Sequence, residues 1–355
     1  MPIDLRSDTV TTPSPAMLEF MKNARVGDDV YVEDPTVNEL EEKMAKLFGR
    51  DAALYCPTGT MSNQIAIKLH TQPGDEVVCE KTAHVYQYEA GGIAFNSGCQ
   101  VKTIEGVRGI IQPEQLRDIR NPDDVHKAPT TLVCLENTSN RGGGSCYSTP
   151  VLQSIRAIVN EQNLRLHLDG ARLFNAIVAT GQDAAMFGSL FETISVCLNK
   201  GLGCPIGSVL IGDHYDIKKA RRIRKIFGGG MRQAGFMAAC GLFALDNNIP
   251  ELKNDHVNAG KIAEAIRSNA MFTNILPVET NIVIFEPVRG IEPWQVVEYL
   301  KTREVLINVI SGRQLRIVTH LNITSAMAMN AAEIFAGIGE TALFANRTLA
   351  AGHDH

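Results

Sequence analysis

The sequence predicts an α/β fold: a large domain with a mostly parallel sheet, then a small C-terminal α/β domain. Three observations carry this. Short β-rich runs alternate with longer helical patterns through the first two thirds of the chain. Such alternation argues for parallel strands covered by helices on both faces. The pattern changes after Gly230, where long helical stretches take over. The chain has 355 residues, 45% hydrophobic and 21% charged. That is enough for a sizeable core and, at ~150 residues per domain, for about two domains.

Taken in order, the expected strands are AALYC at 52–56, EVVCE at 76–80, TLVCLE at 131–136, LRLHLD at 164–169, TISVCL at 193–198 and GSVLIG at 207–212. Helical patterns lie between them at 61–70, 85–94, 150–161 and 214–227. Residues 231–247 form an almost all-round apolar helix, buried either in the core or in a contact between subunits. A second helix over 251–269 opens the smaller unit. It is followed by TNIVIFE, PWQVVEYLKTRE, VLINVI, QLRIVTH and a last helix from about Thr324. The expected division is a large domain over 1–249, a small one over 250–346 and a flexible polar tail over 347–355.

Composition narrows the partners. The formal net charge is −5, from 34 basic and 39 acidic residues, which disfavours a nucleic-acid partner. No run approaches the ~20 apolar residues of a membrane-spanning helix. The start MPIDLRSDTV lacks the apolar centre of a signal peptide. A soluble, cytoplasmic protein with no membrane partner is expected. The eight cysteines show no C-x-x-C spacing and several sit in strand-like runs, so they read as free, buried small hydrophobes. The nine histidines show no paired metal-binding pattern, and no metal site is expected.

Ligands of such folds collect at the carboxyl ends of the strands. Most lysines are solvated surface charges, but Lys200 in SVCLNKGLGCPIG has apolar or small flanks and follows a strand. Lost hydration lowers a lysine's pKa and makes its amine a nucleophile suited to Schiff-base chemistry. Asp169 in HLDGAR ends another strand; it is either a helix N-cap or the anionic partner of a buried cationic ring nitrogen. Together the two suit pyridoxal phosphate, which needs a lysine for its aldehyde and an anion for its pyridine nitrogen. PTGTMSNQ at 57–64 fits the phosphate, with Gly59 and Thr60 at a helix N-terminus, although an ordinary capped loop has the same form. His84 and Tyr88 in AHVYQYEAGG offer an aromatic cover.

At this point the chain resembles the L-threonine aldolases, fold-type I pyridoxal-phosphate enzymes of the β-eliminating-lyase family. The motifs are IDLRSDTVT, VGDDVYVEDPTVNELE, PTGTMSNQ, HVYQYEAGG, ENTSNRGGG, HLDGAR, CLNKGLGCPIGSVLIG, GGGMRQAG and RIVTH. They run from about Ile3 to the last helix. The resemblance implies that Lys200 carries the cofactor, Asp169 holds its ring nitrogen and His84 stacks on it. It implies that Gly59 and Thr60 bind the phosphate, with Lys225 and Arg232 of a neighbouring subunit. Ser7, Arg172 and Arg316 would bind the substrate carboxylate, and Arg172 would also reach the cofactor's ring oxygen. Tyr31 would approach from a neighbour. His126 would lie near the substrate β-hydroxyl, with His84 or a water between them. The implied assembly is a homo-oligomer of tetrameric habit, acting on a small amino acid.

Three positions depart from the pattern: Ala83 and Asn199 where serine is common, and Ser139 where histidine is often found. None removes a group that the chemistry needs. The implied reaction cleaves L-threonine or L-allo-threonine to glycine and an aldehyde. A β-eliminating lyase on the same scaffold is the alternative, and a non-catalytic binding protein a remote one.

Overall fold

The computed structural model describes residues 2–344. After a two-residue strand β1 (Ile3–Asp4), the chain builds β2 (Ala52–Cys56), β3 (Glu76–Glu80), β4 (Gln100–Ile104), β5 (Thr130–Glu136), β6 (Arg165–Gly170), β7 (Thr193–Cys197) and β8 (Ser208–Gly212). These last seven form one sheet in the order β2-β8-β7-β6-β5-β3-β4. The run β4-β3-β5-β6-β7 is parallel, whereas β8 is antiparallel to both β7 and β2. The six strands expected from sequence are all present. β4 was not expected, because it is a half-exposed edge strand bearing Gln100 and Lys102. A strand covered on one side lacks the continuous apolar run of its buried neighbours.

Helices α1 (Pro15–Lys22) and α2 (Pro35–Leu47) precede the sheet, and α3 (Gly59–His70) follows β2. The helix expected over 85–94 is only a short turn, α4 (His84–Gln87). Ala90 and Gly91 both take positive φ, 53° and 74°, and a left-handed pair ends a helix. α5 (Thr149–Glu161), α6 (Leu173–Thr180), α7 (Ala184–Leu190) and α8 (His214–Ile226) complete the layers around the sheet. α9 (Gly235–Asn247) answers the question its all-round apolarity raised: Ala238, Cys240, Leu242 and Leu245 belong to the main core. A Cβ on its Gly241 would come within 2.9 Å of Leu198 and 3.0 Å of Leu40, so glycine lets the helix approach the sheet.

The C-terminal part holds α10 (Leu252–Ser268), β9 (Phe272–Thr273), β10 (Ile282–Pro287), α11 (Pro293–Lys301), β11 (Val305–Leu306), β12 (Asn308–Ser311), β13 (Gln314–Val318), α12 (Ser325–Ala336) and α13 (Glu340–Phe344). Its four-stranded sheet runs β12-β13-β10-β9. It has its own core, centred on the edge-to-face rings of Phe272, Phe285 and Phe335. Ile3 and Leu5 pack in that core, and β1 pairs in parallel with β11. The start of the chain is therefore anchored on the C-terminal part, which carries the segment after Leu5 across to the large sheet. The tail expected over 347–355 lies outside the described residues.

Candidate active site

Parallel pairing places the carboxyl ends of β5, β6 and β7 side by side, with Glu136 opposite Asp169 and Asp169 opposite Ser195. Above these ends lies a cavity of about 160 Å³. Gly59, Thr60, His84, Asp169 and Lys200, all singled out from sequence, line it together with Asn63 and Asn199. Gly59 opens α3, whose N-cap Thr58 accepts from the amide of Met61 at 3.1 Å. A Cβ at residue 59 would stand 2.5 Å from the Cys197 sulfur, so only glycine lets the helix start this close to β7. The first amides of α3 have no partner inside their own helix and face an anion-binding position.

Asp169 is only 2% exposed. One carboxylate oxygen accepts from Asn63 Nδ2 at 3.0 Å and the other from the Ala171 amide at 3.1 Å. Asn63 also donates to Glu89 Oε1 at 2.9 Å, and Gln64 donates to Glu89 Oε2 at 2.6 Å. The Nδ1 of His84 meets Glu89 Oε1 at 3.1 Å. Burial pulls the His84 imidazole down, but the Glu89 hydrogen bond and the Asp169 and Glu89 charges prevail, and its pKa is raised. Glu136 accepts the His84 amide at 2.6 Å and the Asn140 amide at 2.7 Å. Burial, reinforced by the nearby Asp169 charge, pushes its carboxyl up.

Beside this floor lies a second cluster. Arg172 donates from Nε and Nη2 to the two oxygens of Asp8, each at 2.7 Å. Burial would raise the Asp8 carboxyl, but Arg172, with Lys200 and Arg316 behind it, holds it at about 2. The Nε–Nη2 edge of Arg172 is thus occupied by Asp8, which leaves the Nη1 hydrogens and the second Nη2 hydrogen for a ligand. Arg316 reaches Asn140 Oδ1 at 2.7 Å and the Arg6 carbonyl at 3.3 Å, while its buried Nε has no partner. Burial and the neighbouring Arg172 charge lower Arg316 to about 10. Ser7 caps the turn that presents Asp8 and accepts from the Thr9 amide at 3.2 Å.

Other expected residues stand apart from the cavity. Tyr31 is 70% exposed on a turn before α2. Lys225 lines a separate basic hollow of about 270 Å³ with Arg222 and Arg224. Arg232 pairs with Asp28 at 2.8 Å on the surface. His126 also stands apart from its own chain's cavity. It lies in the loop that enters β5, at the amino end of that strand, while the cavity lies at the carboxyl ends. Its side chain is 86% exposed and bonds Asp124 at 2.8 Å. Of the departures, Ala83 leaves α4 without a side-chain cap. Ser139 Oγ accepts from the Gly142 amide at 3.2 Å. Asn199 lines the cavity beside Lys200. Sequence reasoning missed Asp8, Asn63, Glu89 and Glu136. Each lay inside a quoted motif, yet nothing in the motifs says which polar residues become buried.

The model of the beta-eliminating lyase family matches residues 4–288. This chain belongs to that family. Within it, a low specificity L-threonine aldolase of Escherichia coli K12 is 43% identical over 323 residues, covering 91% of this chain and 95% of the relative. Low-specificity L-threonine aldolase 1 of Arabidopsis thaliana is 40% identical, covering 91% and 92%. Among solved structures, a threonine aldolase of Leishmania major superposes with a TM-score of 0.82 at 20% identity, covering 94% of this chain and 98% of that one. A putative L-allo-threonine aldolase of Listeria monocytogenes gives 0.78 at 18%, covering 94% and 96%. These structural matches show the shared fold.

Pyridoxal phosphate, the group implied by the family resemblance, can be tested against the cavity on its own chemistry. The cavity joins a lysine amine, a buried carboxylate whose oxygens are both held by N–H donors, and a helix N-terminus opened by an obligatory glycine. An aldehyde, a protonated ring nitrogen and a phosphate each find a complementary group there. The residues fit.

Proposed function

We propose that this chain is a pyridoxal-phosphate-dependent lyase. It cleaves L-threonine, L-allo-threonine and related β-hydroxy-α-amino acids between Cα and Cβ, giving glycine and an aldehyde. One observation carries the reading: Lys200 and Asp169 share a cavity with the N-terminus of α3. Lys200 supplies the amine for the cofactor's aldehyde, and Asp169 keeps the ring nitrogen protonated. The amides of Gly59 and Thr60 take the phosphate, and His84 covers the ring. When bound, the cofactor supplies an electron sink for the pair released at Cα.

The rest is done by the chain's own groups. Arg316, with its unpartnered Nε, and the free Nη1 of Arg172 receive the substrate carboxylate. A clamped carboxylate fixes which bond at Cα is presented for cleavage. Asp8 neutralises Arg172 from behind, so the pair of guanidiniums carries one net charge short of two. Ser7 holds the turn that places Asp8.

Lys225, Arg232 and Tyr31, set apart from their own chain's cavity, are proposed to complete the site of a neighbouring subunit in a homotetramer. A cytoplasmic location is supported by eight unpaired cysteines, seven of them buried, as a reducing compartment maintains. No helix among the described residues is long and apolar enough to cross a membrane.

The deciding experiment incubates the purified, cofactor-loaded protein with L-threonine and L-allo-threonine and measures both products. Glycine and acetaldehyde in equal amounts are expected. Ammonia and a keto acid would instead assign a β-eliminating lyase, and no product from either amino acid would sink the reading.

A further inference from the structure

We propose that Glu89 is the positioning residue that holds the proton of His84 on Nδ1, so that Nε2 stays bare to take the proton of the substrate β-hydroxyl. This deepens the aldolase reading and rests on it.

The Glu89 side chain has no solvent exposure, and three donors converge on it: Asn63 Nδ2 at 2.9 Å, Gln64 Nε2 at 2.6 Å and the imidazole of His84 at 3.1 Å. Each amide's orientation is set by its acceptors: Asn63 Nδ2 faces oxygens of both Glu89 and Asp169, and Gln64 Oε1 accepts from Asn96 Nδ2 at 3.2 Å, which leaves its nitrogen for Glu89. Each amide therefore turns its nitrogen toward Glu89. An ionised carboxylate only accepts, and three converging donors suit that form. His84 Nδ1 must then be the donor of its pair, and a neutral imidazole protonated on Nδ1 carries its lone pair on Nε2. Ala90 and Gly91, at φ of 53° and 74°, turn the chain directly after Glu89.

The groups that face His84 come from every side. Glu89 and the Tyr88 ring, 5.8 Å between centroids, belong to its own segment. Asp169 comes from β6, Glu136 from β5 and Lys200 from the turn after β7. The three carboxylates favour a proton on the imidazole and Lys200 opposes it. Removing the Glu89 charge therefore lowers the pH at which His84 gives up its proton. Among the residues that line the cavity, His84 is the one imidazole.

The step balances. The β-hydroxyl O–H proton passes to Nε2, and that O–H electron pair becomes the second bond of the aldehyde C=O. The Cα–Cβ pair leaves with the glycine fragment, which regains a proton at Cα.

The test uses the holoenzyme and Glu89→Gln. Cleavage of L-allo-threonine is expected to slow by about 10–100-fold, the size of loss seen when the partner that orients a metal-bound histidine is removed. The acid limb of its kcat/KM profile is expected to move to lower pH. Exchange of the glycine α-proton in deuterated water, which involves no β-hydroxyl, should change by less than about threefold. An unmoved acid limb, or exchange lost in step with cleavage, would overturn the proposal. Should Glu89→Gln not fold, the wild-type holoenzyme suffices. Nitrogen NMR of its ¹⁵N-labelled histidines should show His84 protonated on Nδ1, and a proton on Nε2 in the neutral form would refute the assignment. Absence of aldehyde from the wild type is a different result and would overturn the functional reading instead.

Discussion

Two polar clusters meet at the cavity, and they differ in completeness. Around Asp169 and Glu89, each carboxylate already has its donors from Asn63, Gln64, Ala171 and His84. Around Asp8, Arg172 and Arg316, the Nε of Arg316, the Oδ1 of Asn281 and the Oδ2 of Asp255 are buried with no partner. A buried polar atom left alone costs about 1–3 kcal/mol. The first cluster is organised before anything binds, as suits a group that must hold a cofactor in one charge state. The second is short of partners and gains one when an anion arrives. Their construction differs too. The first is built from the end of β6, from α3 and from the segment between His84 and Glu89, whereas the second draws on three distant stretches, at Asp8, Arg172 and Arg316.

The largest effect is expected from the organised floor. Lys200→Ala should abolish turnover and the long-wavelength absorbance of the bound cofactor, read on the purified protein. A variant that still held the cofactor through a lysine would break the assignment. Next comes the join between the clusters. Asp8→Asn leaves the buried Arg172 without its counter-charge, and breaking such a pair costs about 3–5 kcal/mol. A clear fall in Tm at pH 7 should follow. The pH dependence has a fixed sign. The folded Asp8 carboxyl is depressed to about 2. Its contribution is present above the ordinary carboxylate range near 4 and is lost as pH falls from there through about 2. In Asp8→Asn, that part of the acid loss should be absent.

The contrast also explains what could be read from the amino acids alone. The six strands rich in apolar residues were legible because burial on both faces leaves an unbroken hydrophobic run. Lys200 and Asp169 were legible because each is a charged residue at the end of such a run. Glu89 was not, since a helical pattern was expected across 85–94 and the left-handed turn at Ala90 and Gly91 was not anticipated; Asn63 was not, since nothing in the helix expected over 61–70 marks which of its polar residues is buried. Asp8 was invisible because its partner is 164 residues away, and only the anchoring of β1 on β11 brings them together.

The incomplete cluster should respond in binding and less in catalysis. Arg316→Ala removes a guanidinium that is proposed to meet the substrate carboxylate. Hydrogen bonds to charged groups are worth about 1.5–3 kcal/mol, so KM for the amino acid should rise roughly 10–100-fold. Affinity for the cofactor, titrated by absorbance, should change little. An unchanged KM would remove Arg316 from the carboxylate position. A smaller effect is expected at Asp255, whose carboxyl is raised to about 8 by burial, then by the Asp8 and Glu251 charges. Its folded form keeps a proton that the unfolded chain sheds near pH 4, so stability falls as pH rises from about 4 to about 8. Asp255→Asn removes that titration, and the decline of Tm between pH 5 and pH 8 should become shallower. Equal slopes in variant and wild type would show that the orphaned Oδ2 finds a partner in solution.

The smallest effect is expected at the opposite end of the sheet, where it tests the comparison by contrast. His126 enters β5 from a loop, and the seven residues of that strand separate its two ends. At about 3.3 Å per residue they span roughly 20 Å. A side chain 86% exposed, bonded only to Asp124, lacks the buried carboxylate contact that holds His84. Exposed substitutions of this kind usually stay within about 0.5 kcal/mol. His126→Ala should therefore leave kcat/KM for L-allo-threonine within about twofold, while His84→Ala lowers it by orders of magnitude. If the two variants lost activity alike, the loop before β5 would have to reach the cavity of a neighbouring chain. The site would then draw on both ends of the sheet, one from each subunit.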